Sequence, residues 1–249
     1  KGMYSNRENG GWLLGHLIDG TQAEFVRVPY ADTSLYHIPE GANEEALVML
    51  SDILPTGYEC GILNGQIKPG DTVAIIGAGP IGLASLMTAK FYSPAAIIVI
   101  DIDDNRLKVA EKFGATHTIN SSRENIVEMV MSVTNNRGAD AAIEAVGIPA
   151  TFELCQLIIA PGGHIANIGV HGKPVSLHLE SLWAKNITIT TRLVDTITTP
   201  LLLKTVMSQK LDPLPLITHR FRLDEILKAY ETFGQAEKEK SLKVILTND

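Results

Sequence analysis

The sequence predicts an α/β protein with two parts: a doubly wound parallel sheet of six strands, and a strand-rich region drawn from both ends of the chain. Two observations predict this arrangement. From residue 72 onward, short β-branched apolar runs alternate with stretches of helical periodicity, which is typical of successive βαβ units. On either side of that part, the apolar runs resemble isolated strands, and in the amino-terminal flank they are interrupted by proline and glycine.

Six apolar runs are the predicted strands of the sheet, and helices are predicted between most of them. The strands are 72–76, 96–100, 117–119, 141–146, 164–169 and 187–190. The helices are 80–91, 105–113, 124–133 and 150–159. Six parallel strands joined by right-handed crossovers make up a complete dinucleotide-binding sheet.

The flanking segments are predicted to form a second domain. Residues 21–28 (TQAEFVRV) and 36–39 (YHIP) have the composition of strands broken by Pro29 and Pro39. Near the other end, 242–246 (LKVIL) is predicted as a last strand after a helix over 224–233. Because these segments come from both ends of the chain, we expect the second domain to be discontinuous.

Charge and composition exclude two classes of partner. The formal net charge is −7 and the basic residues are scattered, so the sequence has no nucleic-acid footprint. The longest apolar runs are far shorter than the ~20 residues that span a bilayer, and no signal-peptide pattern opens the sequence. Cys60 and Cys155 lie in amphipathic apolar segments, where we expect buried thiols rather than a disulfide. These features favour a cytoplasmic location.

Three glycines after the first strand predict a phosphate site. Gly77, Gly79 and Gly82 form the pattern G-x-G-x-x-G between a predicted strand and a predicted helix. Gly77 suits a tight turn, Gly79 lets the backbone approach a pyrophosphate, and Gly82 allows close packing of helix on sheet. The helix that opens at Pro80 and Ile81 directs its positive dipole end toward the phosphates. The alternative is an ordinary turn, which the strand and helix context disfavours.

An acidic residue at the end of the second strand favours NAD as the cofactor. Asp101 ends the run IIVID, where a carboxylate can accept both ribose hydroxyls of an adenosine. A carboxylate there would repel the 2′-phosphate of NADP. The alternative interpretation of Asp101 is a helix cap. Together with the glycines, Asp101 predicts an NAD-binding Rossmann sheet.

At the level of longer motifs the sequence resembles a known family. ALVMLSDILPTGYECG, KPGDTVAIIGAGPIG, GADAAIEAVG, LIIAPGGHIANIGVHG and LDPLPLITHRF together resemble the zinc-dependent alcohol dehydrogenases of the medium-chain dehydrogenase/reductase superfamily. The resemblance implies a partial GroES-like catalytic domain beside the Rossmann domain. The implied segments are 1–53 (partial catalytic domain), 54–193 (NAD-binding domain) and 194–249 (return to the catalytic domain).

The resemblance also implies a catalytic zinc. Asp52 matches the third protein ligand of the family's zinc, and Thr56, four residues later, matches the contact to the nicotinamide. The family's cysteine and histidine ligands would lie upstream of residue 1, so we expect a truncated chain. The fourth structural-zinc cysteine of the family corresponds to Arg7, so no structural zinc is expected. His16 follows a glycine but lacks ligand spacing, and a structural histidine is the favoured interpretation.

Further cofactor contacts are implied by position in the family. Ile168, Gly169 and Val170 resemble the strand end that pairs with the nicotinamide carboxamide, and Val146 resembles part of the adenine and ribose side. The remaining two are basic. Arg106 resembles the residue along the adenosine ribose, and Lys243 resembles the residue that reaches the pyrophosphate. For both cations the alternative is a solvated surface charge.

The implied activity is zinc-assisted hydride transfer between NAD and a small alcohol or its aldehyde or ketone. The alternative is that the chain binds NAD without turnover, as a fragment or a non-catalytic paralogue. A zinc-independent quinone or enoyl reductase is disfavoured by Asp52. The family pairs its sheets through the last strand, here 187–190, so we expect a homo-oligomer, either a dimer or a tetramer.

Overall fold

A computed structural model of the chain describes residues 13–248. Arg7, at which the sequence predicts the absence of a structural zinc ligand, lies outside these residues. The chain divides into two compact units. One comprises Asp52–Val194, and the other comprises the described parts of Lys1–Ser51 and Asp195–Asp249.

The strands of the described residues form two sheets. In chain order they are β1 (Thr72–Ile76), β2 (Ala96–Asp101), β3 (His117–Asn120), β4 (Ala139–Glu144), β5 (Ile159–Asn167), β6 (Thr188–Thr191), β7 (Ile217–Arg222) and β8 (Lys243–Thr247). Among residues 13–248, β1 to β6 form one six-stranded sheet in the order β3-β2-β1-β4-β5-β6, with every neighbouring pair parallel. The predicted doubly wound sheet is therefore confirmed.

The α-helices, again in chain order, connect these strands and fill the second unit. They are α1 (Ala31–Ser34), α2 (Glu44–Val48), α3 (Ile53–Thr56), α4 (Pro80–Ala89), α5 (Asp104–Phe113), α6 (Ile126–Val133), α7 (Pro149–Ile158), α8 (Leu179–Leu182), α9 (Thr199–Met207), α10 (Ile226–Gly234) and α11 (Ala236–Glu239). A π-helical stretch, Gly57–Leu63, continues α3, and short 3₁₀ turns occupy Lys90–Tyr92, Leu214–Leu216 and Leu223–Glu225. Within the described residues, no helix has the length and apolar character needed to cross a bilayer.

The central strands are buried on both faces, which explains their continuous apolar sequences. Every residue of β2 is buried, as are the last four residues of β1. One face of the sheet packs against α6 and α7 through a cluster that includes Ile100, Phe152 and Ile158. Burial of these side chains supplies the hydrophobic stabilisation that holds the crossover helices on the sheet.

Helix ends follow the local capping chemistry. The carboxylate of Asp103 accepts a hydrogen bond from the Asn105 amide at the start of α5, and Gly114 ends that helix with a φ of 105°. Asn125 caps α6 in the same way by accepting from the Glu128 amide. These caps place the first residues of the helices within two positions of the predicted boundaries.

Two predicted strands are wrong. Residues 21–28 and 36–39 form bends and irregular structure rather than strands. Residues 21–27 are exposed throughout, with Phe25 90% exposed, and an extended segment becomes a strand only when it pairs with a neighbour. Their β-branched and aromatic composition therefore misled the prediction, since propensity without a partner does not make a ladder.

The last strand of the chain is confirmed, with a partner that the sequence analysis missed. β8 pairs in parallel with β7, and α10 packs against both strands. β7 follows a proline-rich stretch, and its buried and exposed residues alternate only weakly. The sequence therefore lacks the period-two pattern that would have predicted this strand. α9 was missed as well, although Pro200 at its second position is compatible with a helix start.

Candidate cofactor site

The candidate site lies at the carboxyl ends of β1 and β4, where the strand order reverses. β1 has β2 as its neighbour on one side and β4 on the other, so the chain runs outward from β1 in opposite directions along the sheet in its two halves. Such a switch point opens a crevice, which is where ligands bind in open α/β sheets. Three loops converge there: 77–79, 145–147 and 168–170.

The glycine turn after β1 has the geometry that the sequence predicts. Gly77 has a φ of 101°, and its amide donates to the Ile100 carbonyl over 2.8 Å. A Cβ on Gly77 would lie 2.7 Å from the Val146 side chain, and one on Gly82 would collide with the Gly77 carbonyl oxygen. Gly77 is therefore required by its positive φ and by close packing, and Gly82 by close packing alone.

The amino terminus of α4 is open to a ligand. Gly79 is its N-cap residue, no side chain caps the helix, and Pro80 occupies the first turn. A Cβ on Gly79 would meet no atom within 4 Å, so the space above this residue is empty in the folded chain. An uncapped helix start beside an open space can receive a phosphate through the amides of residues such as Ile81 and Gly82.

Asp101 is tied to the glycine turn. Its side chain is 8% exposed, and Oδ2 accepts a 2.7 Å hydrogen bond from the Ala78 amide. Oδ1 accepts from the Asp103 amide over 2.9 Å. The carboxylate is thus fixed at the end of β2, beside the turn that would hold the phosphates. Each oxygen of an ionised carboxylate retains further acceptor capacity, which two ribose hydroxyls can use.

Arg106 lies one turn into α5 and faces Asp103 rather than Asp101. Its Nε is 3.9 Å from Asp103 Oδ2, and the side chain is about one-third exposed. At 3.9 Å the two charged groups interact weakly, so the guanidinium can reorient toward a ligand without losing a strong partner.

The other two loops contact each other directly. A Cβ on Gly147, whose φ is 91°, would lie 2.6 Å from the Val170 carbonyl oxygen, and a Cβ on Gly169 would collide with the Gly147 amide. Val146 is half-exposed and Val170 is 92% exposed, whereas Ile168 is half-buried. The structure therefore brings the sequence-predicted residues of both loops to one place beside the glycine turn.

A residue that the sequence analysis missed connects these loops. Glu144, the last residue of β4, is fully buried, and its Oε1 accepts hydrogen bonds from the amides of Val146 and Gly147. Its backbone carbonyl accepts from the amides of Ile168 and Gly169. A carboxylate inside the apolar run AAIEAV was the signal that could have identified it, because glutamate is almost never fully buried without a specific partner.

Asp52 and Thr56 form a pair at the beginning of this unit. Asp52 is exposed and precedes α3, and Thr56 Oγ1 donates to Asp52 Oδ1 over 2.7 Å. The Thr56 amide also donates to the Asp52 carbonyl over 2.8 Å. The hydroxyl therefore orients one carboxylate oxygen and leaves the other available to a ligand.

Two glycines let the segment that follows Thr56 pack closely against α4, the helix that follows the glycine turn. A Cβ on Gly57 would lie 2.7 Å from the Ser85 amide, and Ser85 Oγ donates to the Gly57 carbonyl. A Cβ on Gly61 would lie 2.8 Å from Ser85 Oγ and 3.0 Å from the Ile168 side chain. The position of Thr56 relative to the glycine turn and the 168–170 loop is thus set by packed backbone rather than by long side chains.

The described residues do not make up a metal site by themselves. Within 13–248, no three His, Cys, Asp or Glu side chains lie together as a possible metal site. His16 is exposed in a turn after Leu13. Asp52 offers a hard oxygen ligand that zinc accepts, but a structural or catalytic zinc takes at least three protein ligands.

The remaining predicted residue of the cofactor site, Lys243, and the two cysteines lie on other elements of the fold. Lys243 is the first residue of β8, in the second compact unit, and pairs with Ile217. Cys60 and Cys155 are buried thiols of the first unit, as the sequence predicts. Burial, and then the nearby Glu144 carboxylate, raise the pKa of the Cys155 thiol well above its usual value.

Comparisons with known proteins agree with this geometry. The sequence profile of the zinc-binding dehydrogenase family matches residues 80–207. An alcohol dehydrogenase of Cupriavidus necator is 36% identical over 98% of this chain and 68% of its own length. An NADP-dependent isopropanol dehydrogenase of Thermoanaerobacter brockii is 32% identical over 95% of this chain and 69% of its own length.

A solved structure extends the similarity to the fold. Zinc-dependent alcohol dehydrogenase 2 from Streptococcus pneumonia, in its apo form, superposes with a TM-score of 0.93 at 55% identity. The match covers 99% of this chain and 70% of that one. Sequence profile, sequence identity and fold point the same way, and the chain belongs to the zinc-binding dehydrogenase family.

Proposed function

We propose that the chain belongs to an NAD-dependent alcohol dehydrogenase, which transfers a hydride between the cofactor and a small alcohol or its aldehyde or ketone. The observation that carries the proposal is the Asp101 carboxylate, held 2.7 Å from the Ala78 amide beside an open, uncapped helix start. In one crevice, the carboxylate can accept hydrogen bonds from a ribose and the helix start can bind a pyrophosphate.

The cofactor would follow the line of the three loops. Its pyrophosphate would lie over Gly79 at the amides of Ile81 and Gly82, and its adenosine ribose at Asp101, with Arg106 alongside. The loop at Val146 would line the ribose side. Once bound, the dinucleotide supplies the hydride-accepting or hydride-donating nicotinamide carbon.

The nicotinamide half would reach the segment that contains Thr56. The strand end at Ile168, Gly169 and Val170 offers backbone groups to the carboxamide, and Ile168 packs close to Gly61 of the segment that follows Thr56. These backbone positions would hold the ring in place for a transfer over about 3 Å between aligned carbons. Lys243 is proposed as a further pyrophosphate contact.

The preference for NAD over NADP follows from charge. A 2′-phosphate carries up to two negative charges and would lie against the Asp101 carboxylate, whose oxygens already accept two backbone amides. Ribose hydroxyls, in contrast, can donate to the same oxygens. The Thermoanaerobacter relative is named for NADP, and we propose that Asp101 gives this chain the opposite preference.

Asp52 is proposed as one ligand of a catalytic zinc in a protein that supplies the other ligands. Zinc at that position would supply a Lewis acid that polarises the substrate oxygen. Thr56, through its 2.7 Å hydrogen bond, orients the Asp52 carboxylate. No structural zinc is proposed, because arginine at position 7 cannot act as a ligand.

A second candidate function is dinucleotide binding without turnover by this chain alone. It is favoured by one observation, that residues 13–248 contain no group of three possible metal ligands. Both candidates require the same cofactor crevice, and they differ in whether a metal is held beside Asp52.

The experiment that separates them measures zinc content, NADH binding and NAD-linked oxidation of ethanol and 2-propanol. We expect the 249-residue chain to bind NADH without stoichiometric zinc or turnover. In a protein extended at the amino terminus, Asp52→Ala should lose zinc and activity together and keep its NADH affinity, whereas Asp32→Ala, at another exposed aspartate, should change none of them. Stoichiometric zinc with turnover in the shorter chain, or zinc retained by Asp52→Ala, would contradict the assignment.

Two further features are proposed, the assembly and the location of the protein. The edge strand β6 and the exposed apolar residues beside it suit a homo-oligomer, a dimer or a tetramer, joined edge to edge. Two buried thiols and the lack of a disulfide framework suit a cytoplasmic protein.

A further inference from the structure

Glu144 is a buried carboxylate with an unusual set of partners. Its side chain has no exposed surface, and Oε1 accepts three hydrogen bonds: from the Val146 amide over 3.0 Å, from the Gly147 amide over 2.9 Å and from Thr151 Oγ1 over 2.6 Å. Because Val146 and Gly147 follow directly after β4, the side chain bends the chain back over the end of its own strand. The 145–147 loop is therefore folded around this one oxygen.

The same residue also holds the neighbouring loop. The Glu144 carbonyl accepts from the Ile168 amide over 2.8 Å and from the Gly169 amide over 3.1 Å. A Cβ on Gly169 would collide with Glu144 Oε2, so the 168–170 loop packs directly on the carboxylate. The side chain of Glu144 fixes one loop, and its backbone and second oxygen fix the other.

The second carboxylate oxygen of Glu144 makes no hydrogen bond and faces a histidine. Glu144 Oε2 has no hydrogen-bond partner and lies 3.4 Å from His171 Nε2, which is 2.9 Å from Asn167 Oδ1. The Asn167 side-chain amide donates to the Gly169 carbonyl, so its oxygen is the acceptor toward His171 and Nε2 carries the proton. His171 thus joins the end of β5 to the carboxylate and closes the cluster.

Stability alone does not account for a buried carboxyl group in this position. Burying such a group is unfavourable, and in other proteins the replacement of buried ionic groups by apolar residues of similar volume is often neutral or stabilising. Glu144 nevertheless lies at the switch point, on the two loops that the proposed cofactor must contact at once. A group that holds two ligand-binding loops in one arrangement lowers the ordering cost that binding would otherwise incur.

We propose that Glu144 is a positioning residue for the dinucleotide, which fixes the ribose-side loop (145–147) and the nicotinamide-side loop (168–170) in one arrangement before the cofactor binds. The inference rests on the proposed function, because it requires a dinucleotide in the crevice. It does not make Glu144 a ligand of the cofactor, since its oxygens face protein groups. Its effect should be largest for the dinucleotide, which spans both loops; AMP, which reaches the 145–147 loop but not the 168–170 loop, should depend on it less.

The test compares NADH with AMP in matched variants. Glu144→Ala should weaken NADH binding at least 10-fold while AMP binding changes less than 3-fold, and Glu144→Gln, which keeps an oxygen acceptor, should restore most of the NADH affinity. Asp140→Ala is the control. Asp140 lies near the start of the same strand, and its carboxylate accepts from the Thr72 amide over 2.8 Å at the opposite end of the sheet. This control should lose stability without changing the ratio of the two affinities.

Amide hydrogen exchange in the ligand-free chain tests the same point without a cofactor. Exchange at Val146 and Gly147 should accelerate in Glu144→Ala and not in Asp140→Ala. Thr151→Val, which removes one donor, gives a milder variant if Glu144→Ala does not fold. Equal losses of NADH and AMP affinity, or unchanged exchange, would overturn the inference and leave the proposed function standing. If the wild-type chain binds neither nucleotide, the proposed function fails, and the role of Glu144 toward a cofactor is overturned with it.

Discussion

The Asp101 carboxylate accepts a hydrogen bond from the backbone amide of Ala78, over 2.7 Å, so the acid that ends β2 is joined to the turn that ends β1. Two strands that are neighbours in the sheet thus present one rigid surface to a ligand. The carboxylate therefore stabilises the folded chain at the position where we propose that it binds the ribose, so a substitution should affect both properties.

Replacing Asp101 with serine should change both cofactor choice and stability. Loss of charge-assisted hydrogen bonds to ribose should weaken NADH binding about 10- to 100-fold, and removal of the repelling charge should narrow or reverse the preference over NADPH. The Ala78 amide loses its buried partner, at a cost of about 1–3 kcal/mol. Fluorescence titrations and urea unfolding measure the two effects. A variant with unchanged preference would show that Asp101 does not read the ribose.

The three glycines should respond differently to the same change. Gly82→Ala forces a Cβ into the Gly77 carbonyl and should destabilise the fold by about 1–3 kcal/mol or more. Gly79→Ala meets open space and an ordinary φ of −72°, so its stability should stay within about 0.5 kcal/mol while NADH binding weakens at least 10-fold. Gly234→Ala, at an open position at the end of α10, is the control that should affect neither NADH affinity nor fold. Tight NADH binding by Gly79→Ala would place the pyrophosphate elsewhere.

The pKa of Asp104 predicts a contribution to stability that is lost in acid. The hydrogen bond from Arg123, and to a smaller extent that from Asn120, lowers the pKa of this carboxyl group to about 2. Because the folded pKa lies below the unfolded value near 3.9, the contribution is present above about pH 4 and is lost as the pH falls toward 2. The pair is exposed, so the effect should be small and reduced by salt. Urea unfolding of wild type and Asp104→Asn should differ at pH 5 and converge near pH 2; a constant difference would contradict this.

The exposed edge strand β6 predicts that copies of the chain associate through this edge into a homo-oligomer. β6 is the last strand of the order, and Leu179 and Trp183 beside it are largely exposed, Trp183 to 79%. Charging this patch with Trp183→Lys, or removing a ladder donor with Ile189→Pro, should shift a dimer or tetramer toward monomer. Leu227→Lys, on the exposed surface of α10, is the control. Light scattering gives the mass, and an unchanged mass for both edge variants would exclude this interface.

The sheet could be predicted from the sequence because its central strands are buried on both faces. Runs such as 96–100 are apolar throughout, and that pattern has few alternatives at this length. The glycine turn and Asp101 could be predicted for a related reason, because steric demands at Gly77 and Gly82 leave no other residue type there. Local sequence and global structure agree at these positions.

The remaining features depend on partners that a sequence pattern does not contain. Residues 21–28 have strand composition but are exposed from 21 to 27 and pair with no strand of the described residues, whereas β7 is a strand because β8 pairs with it. Glu144 was missed because its importance comes from the amides of two loops that meet only in the fold. The cofactor contacts, those of Asp101, Arg106 and Lys243 included, stay predictions.

The most direct test of the central claim is a titration of the 249-residue chain with NADH and with NADPH, followed by the fluorescence of the reduced nicotinamide. A crevice that combines the glycine turn with Asp101 predicts saturable 1:1 binding of NADH, at least 10-fold tighter than that of NADPH. Equal or tighter binding of NADPH, or no saturable binding of either dinucleotide, would contradict the account.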